Sequence, residues 1–105
     1  MSKHETVATY EAIAPLVTAM LDELRKFAIK KPDATIGQQK VVMINRLLAD
    51  AKKLLAHESN SKYLDLLSDD ALPQYSDAVL ILSQYRAAMD AFQERHSEYG
   101  KWMLD

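Results

Sequence analysis

Cysteine is absent from this 105-residue chain, which excludes disulfides, thiolate metal sites and cysteine nucleophiles and fits a reducing, cytoplasmic setting. Glycine is almost as scarce. Two glycines and three prolines leave little material for hairpin turns, phosphate-cradling loops or the elbow that presents a serine nucleophile. Long apolar runs are missing too: Ala12 to Leu21 is too short to span a bilayer and is bracketed by Glu11 and Asp22. Glu5 and Glu11 also spoil the basic, acid-poor leader that a secretory signal requires. A soluble protein with no membrane association is expected.

The spacing of the histidines excludes the familiar helical metal motifs. A di-iron bundle needs Glu-x-x-His pairs, but Gln93 stands three before His96 and Leu54 three before His57. His4-Glu5 and His57-Glu58 begin His-Glu-x-x-His without completing it. Asp65, Asp69 and Asp70 lack the alternating ligands and central glycine of a calcium loop. No metal and no cofactor is expected, and no catalytic residue is assigned.

What is present is helix-forming material. Apolar residues make up 49% of the chain and charged residues 27%, the balance of a folded domain and not of a disordered tail. One domain over residues 1–105 is expected, large enough to hold a core without staples. Ser2-Lys3-His4-Glu5 has the form of a capping box, and Val7, Tyr10, Ala14, Val17, Leu21, Leu24 and Ala28 then repeat with helical period. Pro15 lies inside this pattern on its outer face, which predicts a kink and not a break. Lys31-Pro32 ends the helix.

Thr35-Ile36-Gly37-Gln38 reads as a second capping box, followed by Val41, Ile44, Leu48, Ala51 and Leu55 at helical spacing. After a turn at Ser59-Asn60-Ser61, Lys62 to Leu67 is long enough for one or two helical turns. The last helix is expected from about Pro73 to Tyr99, with Gly100 as its left-handed cap and Trp102 and Met103 folded back on the end of the bundle. The predicted fold class is therefore all-α: an antiparallel bundle of three long helices plus one short helix, resembling a four-helix bundle, with a kinked first helix.

The charge is divided along the chain. Met1 to Ala56 carries nine Lys/Arg against six Asp/Glu, and His57 to Asp105 carries four against nine. Helix-end chemistry accounts for much of this, with Arg25, Lys26, Lys30 and Lys31 at a C-terminus and Asp69, Asp70 and Asp77 near an N-terminus. The outward stripe of the last helix, Ser76, Leu80, Ser83, Ala87 and Ala91, is made of small residues around one leucine. Such a stripe suits the close approach of another helix.

The leading expectation is a small non-catalytic bundle that binds another protein or itself, as adaptors, regulators, secretion chaperones and immunity or antitoxin proteins do. The candidate contact residues are Asp65, Asp69, Asp70, Ser76, Asp77, Leu80, Ser83 and Ala87, with a homodimer through the last helix as one form. Ile29 and Met43, apolar but off their seams, add to this reading. Two alternatives are carried forward. One is a ligand-binding or enzymatic pocket near His96, Tyr85 and Glu94; the other is nucleic-acid binding through the Arg25 to Lys53 region, which the mildly acidic net charge of −2 disfavours.

Overall fold

The computed structural model describes residues 1–104 and is mostly helical. Helix α1 spans Lys3–Lys30, α2 spans Gln38–Leu54 and α3 spans Tyr75–His96, with a 3-10 turn at Ser61–Tyr63 and two short strands, β1 at Ser97–Glu98 and β2 at Lys101–Trp102. Ser2 caps α1 as its sequence predicts, its Oγ accepting the Glu5 N–H at 3.2 Å. The helix runs unbroken through Pro15. Tyr10, Ile13, Val17, Leu21 and Leu24 stay buried on both sides of the proline, so the apolar face keeps its phase across the lost backbone bond.

The end of α1 and the start of α3 are joined by backbone bonds. Ile36 donates to the Pro73 carbonyl at 2.8 Å, Tyr75 to that of Ala34 at 3.0 Å and Ser76 to that of Pro32 at 3.1 Å. Thr35 pairs with Gln74 in an isolated bridge, and Ile36 is fully buried. This pairing corrects the capping box expected at Thr35. Its backbone is extended against Gln74, so α2 begins only at Gln38, with Gly37 as an N-cap that offers no side-chain bond.

The short helix expected over residues 62–67 is also corrected. Beyond the 3-10 turn, the chain from Leu64 is extended, with Leu64 and Leu67 buried. Side chains take the backbone groups that helical bonds would have used. Asn45 on α2 donates its amide to the Leu67 carbonyl and accepts the Leu67 N–H, both at 2.8 Å. From the other side, the Tyr85 hydroxyl on α3 donates to the Asp65 carbonyl at 2.9 Å. The segment lies between α2 and α3 as a strip of extended chain, carrying the polypeptide back along the length of α2.

That return sets the helix directions. Tyr75 at the start of α3 meets Lys40 at the start of α2, and His96 at the end of α3 meets Glu58 just past the end of α2. The two helices therefore run the same way. Both run against α1, whose Tyr10 stacks on Phe92 and whose Phe27 stacks on Tyr75. Only part of the bundle is antiparallel, because an extended return stands where a short helix was expected.

The last helix stops at His96, three residues before the expected Tyr99. Tyr99 and Gly100 both adopt positive φ, 52° and 77°, the requirement of a two-residue hairpin turn, and β1 pairs with β2 across it. Gly100 is left-handed as expected, but in this turn and not as a helix cap. Tyr99, expected to close the last helix, is exposed in this turn. Trp102 folds back as predicted, its ring 5.0 Å from that of Tyr10 and 6.0 Å from that of Phe92.

The Asn45 side chain is the fixed point of the crossover. Replacing it with alanine leaves the Leu67 N–H and carbonyl without these partners in a part-buried site, and an expected loss of about 2–3 kcal/mol follows from two such groups. Urea denaturation of Asn45→Ala against the parent measures it. A leucine substitution at the same position is expected to lose at least as much, since size does not replace the two bonds.

Candidate interaction surfaces

Each residue of the predicted contact set has a definite place. Leu80 is 63% exposed on the outward face of α3, and Ser76 and Ala87 are exposed beside it. Ser83 is half-buried and returns its hydroxyl to the Val79 carbonyl at 2.7 Å. Asp77 is exposed, but its carboxylate accepts the Gln74 N–H at 3.0 Å and so caps α3. Asp69 and Asp70 are exposed on the chain leading into α3, and Asp65 is exposed lower on the same strip. The strip lies on the α2 side of α3 and leaves the outward stripe uncovered. Asp77 stands one turn before Leu80 on α3, while the aspartates of the strip are accompanied by the exposed Leu66 and Leu72.

A second apolar surface was not singled out by periodicity. Between α1 and α2 runs a groove in which Met20, Leu24 and Phe27 face Met43 and Ile44, enclosing about 150 Å³. Phe27 is 47% exposed, Met43 51% and Leu16, one turn before Met20 on the same face, 56%. Met43, apolar but off the seam of α2, forms one wall. Leu16 and Phe27 could have been found by noticing that with Met20 they make a stripe beside the core stripe of α1. Ile29, 84% exposed, stands elsewhere on α1.

One end of this groove is basic. Lys40 holds its ammonium 5.3 Å from the centre of the Phe27 ring and 3.3 Å from the Tyr75 hydroxyl, a cation held over an aromatic face. Lys30 and Lys31 line a second recess beside Phe27 and Tyr75. Elsewhere in the predicted basic region, Lys26 pairs with Glu23 at 3.0 Å and Arg25 lies 3.9 Å from Asp22. These pairs are exposed and weak. No ion pair is formed by Lys30, Lys31 or Lys40 among the described residues.

The predicted pocket near His96, Tyr85 and Glu94 is not assembled. Tyr85 is wholly buried and points to the Asp65 carbonyl, while Glu94 is exposed. His96 instead lines a recess of about 360 Å³ with Thr6, Lys53, His57 and Glu58, its Nε2 3.2 Å from a Glu58 oxygen. Arg95 approaches the other oxygen of that carboxylate at 3.5 Å. The arrangement ties the end of α3 to the turn after α2. Among the described residues no group of three His, Asp or Glu side chains is placed to hold a metal ion, and no helix is long and apolar enough to cross a membrane.

Two tyrosines are perturbed. Burial, then the nearby Asp90 charge, raises the Tyr10 pKa; burial, then Asp65, raises that of Tyr85 further above the usual 10. Comparison of the chain with protein-family models, with curated proteins and with solved structures gives no match.

The Tyr85 shift has a direct consequence for stability. In the unfolded chain a tyrosine ionises near pH 10, whereas Tyr85 in the fold keeps its proton to higher pH. Above pH 10 the unfolded state therefore binds fewer protons, and stability falls as pH rises. Thermal melts from pH 8 to 11 are expected to show this fall. Tyr85→Phe makes it shallower while costing about 1 kcal/mol at neutral pH through the lost bond to Asp65.

Proposed function

We propose that this protein works by binding another protein, as an adaptor, regulator, chaperone or immunity-type protein does, and that it performs no catalysis of its own. The observation that carries the reading is Leu80: a large apolar side chain 63% exposed on the outward face of α3, with Ser76, Ser83 and Ala87 on the same stripe, Asp77 one turn before it, and Asp69 and Asp70 exposed on the chain that enters the helix. Apolar side chains ringed by polar ones are the usual anatomy of a contact surface. Small neighbours at Ser76 and Ala87 let a partner backbone approach closely, and the aspartates favour a partner with basic groups at the rim. A cytoplasmic setting belongs to the same proposal.

The test is affinity capture from the native source with the parent chain and with Leu80→Glu, both checked for helicity by circular dichroism. The parent is expected to retain a defined partner that Leu80→Glu loses, since a charge at the contact centre is desolvated without a pair. Capture should also weaken as salt rises. Equal capture by both chains would remove the α3 face from the proposal.

A further inference from the structure

We propose that the partner of the α3 face is a second copy of this chain, which seats it on the basic end of the α1–α2 groove. This rests on the protein-binding reading above and gives it an occupant. Charge complementarity is the first argument. Lys30, Lys31 and Lys40 frame one end of an apolar groove and form no ion pair among the described residues, while Asp69 and Asp70 stand exposed on the chain entering α3 and Asp77 lies one turn before the exposed Leu80. The one carboxylate lining the groove, Glu23, is already paired with Lys26, so the unpaired charge at its end is positive.

Position is the second argument. Tyr75, the first residue of α3, stacks on Phe27 with ring centres 5.4 Å apart and accepts the bond from Lys40. Leu80 follows five residues later, about 7.5 Å along the helix. Asp77 and Leu80 thus lie at the same end of the molecule as the lysines. Two copies related by a two-fold axis near that end would bring the lysines of each to the aspartates of the other, so one contact repeated twice closes the assembly.

The apolar part has a matching form. Leu80 projects from a stripe whose other members, Ser76, Ser83, Ala87 and Ala91, are small, which lets it approach the recess walled by Met20, Phe27 and Met43. Methionine walls adapt to such an insertion. A standard interface buries about 800 Å² on each side, roughly a ninth of the 6914 Å² that this chain exposes. Because the charges sit at an exposed rim, they govern recognition and salt dependence, and the apolar contact governs persistence.

The experiment is sedimentation equilibrium of the full chain over a wide concentration range. Reversible dimerisation is expected, with Met43→Glu and Leu80→Glu each abolishing it. Two charge-reversed chains, Lys30→Glu/Lys31→Glu and Asp69→Lys/Asp70→Lys, place like charges across both contacts and should each self-associate at least about tenfold more weakly. Mixed together they restore opposite charges at both contacts, and the mixture is expected to dimerise as the parent does. All four substituted sets lie at exposed positions, and unchanged circular dichroism separates lost association from lost folding.

A parent chain that stays monomeric, a dimer indifferent to Met43→Glu, or a mixture no stronger than its components would each overturn the proposal. A monomeric parent whose captured partner still depends on Leu80 would overturn only the second copy. The broader protein-binding reading would then stand.

Discussion

The paired hydrogen bonds between the Asn45 amide and the backbone of Leu67 are the constraint on which the rest of the architecture depends. They hold an extended segment, not a helix, between α2 and α3. An extended chain rises more than twice as far per residue as a helix, so a few residues can travel the length of α2 and return to its starting end. Because of that return α3 runs parallel to α2, and its first residue lies against Phe27 and Lys40. The buried hydroxyl of Tyr85 fixes the same strip from the opposite side. Without these side-chain bonds the strip would carry unsatisfied backbone groups into a part-buried site.

The division of charge along the sequence becomes a division between neighbouring faces. Lysines of the first half collect where α1 ends and α2 begins, and α2 has neither a side-chain cap nor an acidic residue in its first turn, which leaves its positive end uncompensated. Aspartates of the second half collect where the strip enters α3. Asp77 serves its own helix first. The others are exposed and serve no hydrogen bond in which their carboxylates take part among the described residues. Helix-end chemistry therefore accounts for Asp77, while Asp65, Asp69 and Asp70 remain exposed charges of the surface.

Helical periodicity made most of the core legible. Val17, Leu21, Val41, Leu48, Ala78 and Leu82 are all buried as their spacing requires, because each seam reports one face of one helix. Capping at Ser2 was legible for the same local reason. The return strip was not, since Leu64 and Leu67 fit one helical turn equally well. The polar groups that decide otherwise, Asn45 and Tyr85, are 22 and 20 residues away from their acceptors. Tyr99 was misplaced because the seam continues through it, whereas the Tyr99-Gly100 turn takes it out of helical phase. The α1–α2 groove is not legible in the sequence because Leu16, Met20 and Phe27 read as the edge of a core stripe, and only the spacing of two helices turns an edge into a groove.

The two ends of the molecule are secured by different means. At the Tyr75 end, three backbone bonds join two segments of chain around the fully buried Ile36. At the other end the hairpin is held by Trp102 resting on Tyr10 and Phe92, and by the Met103 N–H bonded to the His96 carbonyl. Local opening is cheapest where few backbone bonds must break, so the hairpin can lift away while the crossover remains closed. The chain's single tryptophan sits on that hairpin. Its fluorescence is accordingly a gauge of the terminal clasp, and it can change before the core of the protein has unfolded.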